Sequence, residues 1–223
     1  MEKDKRQPVD SSATAAPPMF KYPILNRLAM SNPPLTALMY VSLSVFLNYY
    51  YYNYLTDSPD LMFQVRWFVI GFFSWTFAEY MLHRFVYHDA KDASYMKGLH
   101  YILHGVHHKF PNDSSKVVLP PAPSIVIATV LTSLFYISFY LITGDGNLSL
   151  LFVSGFLIGY LIYMLIHYMV HKYPTPKRFK FWWMHHNIHH FQQYDRAFGV
   201  STPIWDIIFR TMPEKGRKTT EEA

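Results

Sequence analysis

Twelve histidines lie between His83 and His190, and the 223-residue chain has none elsewhere. Their spacing divides them into four clusters: His83 and His88; His100, His104, His107 and His108; His167 and His171; and His185, His186, His189 and His190. Positions i, i+3 and i+4 share one face of an α-helix, so His104, His107 and His108 converge, as do His186, His189 and His190. His167 and His171 stand one turn apart on the same face. His83 and His88 point about 140° apart on a regular helix, so they share a metal only if that helix bends or ends between them, and a distortion is expected there. One imidazole at a polar boundary is ordinarily a structural hydrogen-bonding group. Ten in four spaced clusters would repel one another if protonated, whereas neutral imidazole is the commonest protein ligand for zinc, iron and copper. A metal takes about four to six ligands, so His83, His88, His104, His107, His108, His167, His171, His186, His189 and His190 imply two metals. His100 and His185 are left over, as hydrogen-bond partners behind the ligands or as structural groups.

The chain contains no cysteine. This excludes thiolate zinc sites, iron–sulfur clusters and a disulfide framework, so the metals must be held by nitrogen and oxygen. Glu79 is the lone acid inside an apolar stretch and lies one turn before His83; it is expected to orient His83 or to pair with Arg84. Asp113, Asp195 and Asp206 flank the clusters and are candidates for holding imidazole N–H groups.

The elements that must position these residues are apolar and long. Hydrophobic residues make up 51% of the chain and charged ones 16%, which excludes disorder of the whole, and a mean hydropathy near zero fits a mixture of membrane segments and a polar part. Residues 1–19 are polar and proline-bearing and read as a disordered cytoplasmic tail. Four apolar runs follow, at about 35–55, 65–82, 124–143 and 148–166, each about long enough to cross a ~30 Å hydrocarbon layer. Short turns at Asp57–Asp60 and Gly144–Asn147 pair them into two hairpins, with the tyrosine run Tyr49–Tyr52 suited to the headgroup level. The tail, the segment from His83 to Leu119 and everything after His167 then share one side. All of the 20 lysines and arginines except Arg66 fall on that side, and the turns carry only Asp57, Asp60 and Asp145. The positive-inside rule places both termini and the histidines in the cytoplasm. The formal charge of +5 is thereby explained by topology, and no nucleic-acid partner is expected. The fold class is all-α: four transmembrane helices in two hairpins with a cytoplasmic helical cap carrying a histidine-rich dimetal site.

On these clusters the sequence resembles the membrane-bound fatty acid hydroxylase and sterol desaturase superfamily, and within it the fatty acid 2-hydroxylases. His-x4-His at 83/88, His-x2-His-His at 104/107/108, His-x3-His at 167/171 and His-x2-His-His at 186/189/190 match in order. So do LHYILHGVHHKFPND at 99–113, VVLPPAPS at 117–124 and FGVSTPIWDIIFRTMP at 198–213. The resemblance covers residues 20–213, leaving a polar C-terminal tail at 214–223. Where many 2-hydroxylases carry an acid three residues before the third-cluster histidine, this chain has Met164.

The resemblance implies an O2-dependent di-iron monooxygenase that hydroxylates C2 of a fatty acyl chain, the N-acyl chain of a ceramide or other sphingolipid. It assigns His83, His88, His104, His108 and His189 to one iron and His107, His167, His171, His186 and His190 to the other, with zinc able to replace iron in purified protein. The substrate is a lipid in the bilayer, with Trp182, Trp183, Phe110, Tyr194 and Phe198 as candidate liners. Some relatives carry a fused cytochrome b5 module that is not in this sequence, so electrons are expected from a separate donor such as cytochrome b5 or a reductase. The membrane would be the endoplasmic reticulum in a eukaryote or the inner membrane in a bacterium. A sterol or carotenoid oxidase or desaturase is the nearest alternative. A membrane metal-binding or transport protein is an alternative of another class, but it would want ligands at the bilayer midplane.

Overall fold

The computed structural model describes residues 9–10, 12–57, 60–88 and 98–216, and among these it is helical throughout, with no strand. In chain order the helices are α1 (Pro23–Leu28), α2 (Pro33–Tyr54), α3 (Leu61–Met81), α4 (Gly98–His100), α5 (Val106–Lys109), α6 (Pro121–Thr143), α7 (Leu148–Lys172), α8 (Lys180–Phe191) and α9 (Ile204–Ile208). Two π-helical turns intervene, Leu82–Tyr87 directly after α3 and Tyr101–Gly105 between α4 and α5.

The chain divides into two compact units. One comprises Asn32–Thr76 and Pro120–Met164, a bundle of α2, most of α3, α6 and most of α7. Its helices start where the sequence supplies caps. The Asn32 side chain accepts from the Leu35 N–H ahead of Pro33 and Pro34, and Asp60 Oδ1 accepts from the N–H groups of Met62 and Phe63. α6 begins at Pro121 and stops at Gly144, whose φ of 77° ends the helix in the left-handed region open to glycine. α7 is the central helix, buried continuously from Leu151 to Leu157. α2 lays a stripe of Thr36, Tyr40, Ser44, Leu47 and Tyr51 inward, Ser44 donating to the Ser154 carbonyl at 3.1 Å and Tyr40 meeting Tyr160 edge-on. α3 and α7 approach backbone to backbone. A Cβ at Gly71 would run into the Phe152 carbonyl oxygen, and one at Gly155 into that of Phe68. Small residues at such crossings are what allow apolar helices to pack in lipid.

Among the described residues, three stretches are long and apolar enough to cross a membrane: α3 with its π-helical extension (Leu61–Tyr87), α6 and α7. α2, expected as a span over 35–55, forms as a 22-residue helix, long enough at 1.5 Å per residue. It is not among those three, because Asn48, Asn53 and Tyr49–Tyr52 fill its C-terminal half.

The other unit comprises the residues before Asn32, Phe77–Leu119 and everything from Leu165 onward, and it carries all twelve histidines. Part of the stretch expected as a disordered tail is engaged here. The Asp10 N–H donates to the Lys109 carbonyl at 2.9 Å, and the Ala16 N–H to Asp113 Oδ2 at 2.8 Å. Residues 1–8 and 11, and 217–223 of the expected C-terminal tail, lie outside the described residues.

Candidate metal centre

Each cluster is presented by a different local device. The α3 helix passes into a π-helical turn at Leu82, where the His88 N–H donates to the His83 carbonyl at 3.1 Å. That i to i+5 bond brings residue i+5 back above residue i, and the two imidazoles stand 5.0 Å apart, centroid to centroid. The second cluster crosses from the Tyr101–Gly105 π-helical turn into α5, the third occupies the last turns of α7, and the fourth lies along α8.

Ten imidazoles gather in two groups of five. His83, His88, His104, His108 and His189 form one; His107, His167, His171, His186 and His190 form the other. Within each group, one nitrogen from every residue lies within 4.8 Å of all the others. Both His-x2-His-His motifs are shared between the groups. Residues i and i+4 go to one group, namely His104 with His108 and His186 with His190, and residue i+3, His107 or His189, goes to the other. On a regular helix, i+4 returns to about 40° from i on one side and i+3 to about 60° on the other, which is enough to part them.

Backbone carbonyls fix three of the tautomers. His83 Nδ1 donates to the Phe198 carbonyl at 2.6 Å, His189 Nδ1 to Arg196 at 2.7 Å and His171 Nδ1 to Pro111 at 3.1 Å. A carbonyl only accepts, so Nδ1 carries the proton and Nε2 turns a lone pair inward. His104 Nε2 lies 3.0 Å from His83 Nε2 and 2.9 Å from His108 Nε2; His167 and His107 meet at 2.9 Å, His171 and His186 at 2.8 Å, and His189 and His88 at 3.1 Å. The single N–H of His104 can serve only one of its two neighbours. Both ring nitrogens of buried His190 lack a hydrogen-bond partner among the described residues, as do Nδ1 of His107 and of His186. A cation at the centre of each group resolves this concentration of inward lone pairs. At about 2.1 Å per metal–nitrogen bond, opposite ligands stand about 4.2 Å apart, within the spread seen here.

The electrostatics favour metal as well. Burial first, and then the charge of neighbouring imidazoles, holds His88, His104, His107, His108, His186 and His190 well below the usual histidine pKa; burial and His83 do so for His189. These rings are neutral at neutral pH and need lose no proton to coordinate.

The flanking acids act at one remove. Glu79 accepts from the N–H groups of Val200 and Ser201, at 2.6 and 2.9 Å, and from the Ser201 hydroxyl. Fully buried Asp206 accepts from the N–H groups of Phe198 and Gly199, from the Thr211 hydroxyl at 2.7 Å and from His185 Nε2 at 3.1 Å. Together they fix the 198–201 loop, whose Phe198 carbonyl holds His83. Arg84 donates to the Tyr80 hydroxyl at 2.7 Å, so the expected pairing with Glu79 is corrected: Tyr80 lies a turn before Arg84 on the same face, and Glu79 does not. Asp113 is turned to Ser115 and Ala16 instead of an imidazole. Asp195 is half-buried, and the carbonyl of the neighbouring Arg196 holds His189. His100 stands apart from both groups and donates to the Val86 carbonyl. Among the expected liners, Phe198 is buried with its ring edge against His83 and His189, Phe110 is buried, Trp182 donates to the Ser201 carbonyl and Trp183 to that of Tyr173. The carbonyls of Pro111, Arg196 and Phe198 have no counterpart among the expected site groups; Pro111 and Phe198 lie in the motif stretches 99–113 and 198–213, and Arg196 falls just before the second.

With this geometry in view, comparison with known proteins is decisive. Residues 67–211 match the family model for fatty acid hydroxylase. The chain belongs to the fatty acid hydroxylase family. The chain is 34% identical to rat fatty acid 2-hydroxylase over 200 residues, covering 80% of this chain and 52% of the rat protein. It is 38% identical over 145 residues to a dihydroceramide fatty acyl 2-hydroxylase of Arabidopsis thaliana, covering 65% and 60% of the two chains. The chain thus spans little more than half the length of these relatives. Among solved structures it resembles full-length scs7p, of which only the hydroxylase domain is visible, with a TM-score of 0.72 and 25% identity over 88% of this chain and 72% of that one.

Proposed function

We propose that this chain is a membrane-bound di-iron monooxygenase that hydroxylates C2 of a fatty acyl chain, the N-acyl chain of a ceramide or related sphingolipid. The observation that carries the reading is the pair of all-imidazole groups, ten buried or nearly buried rings with inward lone pairs, in a chain related to named 2-hydroxylases. His83, His88, His104, His108 and His189 would hold one iron, and His107, His167, His171, His186 and His190 the other. Iron would supply activation of O2 for insertion of one oxygen atom into an unactivated C–H bond, the second oxygen leaving as water with two electrons and two protons; zinc, being redox-silent, occupies such a site without turnover.

The chain's own residues supply position and dryness. The carbonyls of Phe198, Arg196 and Pro111 hold His83, His189 and His171 with their Nε2 lone pairs inward. Burial keeps the imidazoles neutral and excludes water. α2 joins α3, α6 and α7 as a fourth span in two hairpins, and the placement of nearly all basic residues puts both termini and the histidines in the cytoplasm. There the electrons come from a separate donor such as cytochrome b5 or a reductase. The catalytic domain runs over 20–213, flanked by tails at 1–19 and 214–223, in the endoplasmic reticulum of a eukaryote or the inner membrane of a bacterium.

The test is expression with a suitable reductase in cells that make ceramides, set against a His108→Ala variant. Appearance of 2-hydroxy acyl ceramides with the unaltered chain alone supports the proposal. Altered sterols or carotenoids with unchanged ceramides overturn it. Iron content of protein purified without added zinc checks the metal independently.

A further inference from the structure

The five-residue helix α9 has two unlike faces. Asp206 is fully buried and holds the 198–199 loop, whereas Ile204, Ile207 and Ile208, at i, i+3 and i+4, form a single outward stripe exposed by 49, 60 and 56%. Three isoleucines side by side on a surface mark a contact with something apolar. Two observations say what it is. The Trp205 ring packs on Phe77 of α3, with centroids 4.8 Å apart, and Phe77 belongs to one of the three stretches apolar enough to cross a membrane. Exposed Arg210 follows two residues after the stripe, a cation placed where anionic headgroups would meet it.

We propose that α9 lies in the membrane interface, with Ile204, Ile207 and Ile208 inserted at the boundary between headgroups and acyl chains. Phe77 precedes the π-helical turn at Leu82 by about 7 Å of helix rise, and interfacial helices bury their apolar face about 5–10 Å deep. A tryptophan beside the stripe and an arginine at its end complete the composition of such an anchor. α9 thereby ties the Asp206 clasp behind His83 to the surface from which a lipid substrate arrives. The proposal rests on the membrane reading of α3.

Because the chain lacks cysteine, single cysteines can be introduced without other changes. Ile207→Cys, Phe73→Cys on the exposed face of α3 and Lys215→Cys beyond α9 are each spin-labelled in the full chain and reconstituted into phosphatidylcholine–phosphatidylglycerol vesicles. Collisions with O2 and with a water-soluble nickel complex are then compared. The Ile207 label is expected to follow Phe73, gaining O2 collisions and losing the nickel collisions that the Lys215 label keeps. If Ile207 follows Lys215 while Phe73 reads as lipid, the interfacial anchor is wrong and the membrane reading stands. Shielding of Ile207 from both reagents with spin–spin broadening assigns the stripe to a second copy of the chain and overturns the proposal; shielding without broadening assigns it to protein packing and does the same. A Phe73 label open to the nickel complex removes the membrane reading and the proposal with it.

Discussion

His108 and His190 lie face to face, with ring centroids 4.0 Å apart and 7° between their planes, although each belongs to a different group of five. The two groups therefore share a wall. Truncating a ligand on that wall affects both, whereas truncating one away from it affects its own group. His88 packs among His83, His104, His108 and His189, all of its own group.

The metal content of two variants separates these cases. His88→Ala is expected to lower the metal-to-protein ratio from about two to about one. His108→Ala, which also removes the ring supporting His190, is expected to bring it below that of His88→Ala. Elemental analysis of freshly purified protein reads the difference, and equal ratios contradict the shared wall.

Asp206→Asn keeps the shape of the side chain but replaces one acceptor oxygen with a donor, against four groups that all donate to Asp206. A stability loss of about 3 kcal/mol is expected for a buried charged acceptor so disrupted. Chemical denaturation in detergent measures it, and a loss within error of zero contradicts the clasp.

Glu79→Ala frees the Val200–Ser201 backbone and, through it, the Phe198 carbonyl behind His83. Such outer partners are worth about 10- to 100-fold in metal affinity. Competition with a chelator should show that loss in Glu79→Ala and most of the affinity restored in Glu79→Gln, whose amide oxygen can still accept from both N–H groups. Equal affinities for the two variants count against a positioning role.

Acid should destabilise the metal-free protein. The folded state holds seven of its histidines well below the unfolded value near 6.5, so the unfolded chain binds more protons once pH falls below that value. Stability is fully present above about pH 6.5 and falls below it by about 1.4 kcal/mol per pH unit for each such histidine. The Tm of chelator-treated protein is expected to hold above about pH 6.5 and to drop steeply below it. A flat profile would mean that these rings are not buried as neutral groups.

Gly155→Ala places a methyl group against the Phe68 carbonyl where α3 and α7 touch. Separating two packed backbones should cost about 2 kcal/mol, read from denaturant midpoints in detergent.

The sequence made the side chains of this site legible and left its backbone hidden. Helical spacing separates ten histidines from two, and the ten gather while His100 and His185 stand apart with Val86 and Asp206. Five residues between His83 and His88 demand a distortion, but only coordinates reveal it as a π-helical turn. The carbonyls of Pro111, Arg196 and Phe198 have no residue-type signature, since every residue carries one. Glu79 was legible as a buried acid in need of partners, yet its partners are N–H groups more than a hundred residues away, beyond any local rule. α2 shows the opposite limit. Its length and caps are plain in the sequence, but its tyrosines and asparagines blur the apolar signal that marks the other long helices.

The division of each His-x2-His-His motif between the two groups also bears on how the chain is held together. Every group draws on at least three segments far apart in the sequence, and a metal bound there would close the long loops between them, the office that disulfides fill in other small proteins and that a cysteine-free chain cannot give to sulfur. Interleaving makes the two closures interdependent: the turn that offers His104 and His108 to one ion carries His107 to the other. In the unaltered chain, loading of the second ion should therefore be easier once the first has fixed those turns, so that singly metallated protein is scarce unless one group has itself been disabled.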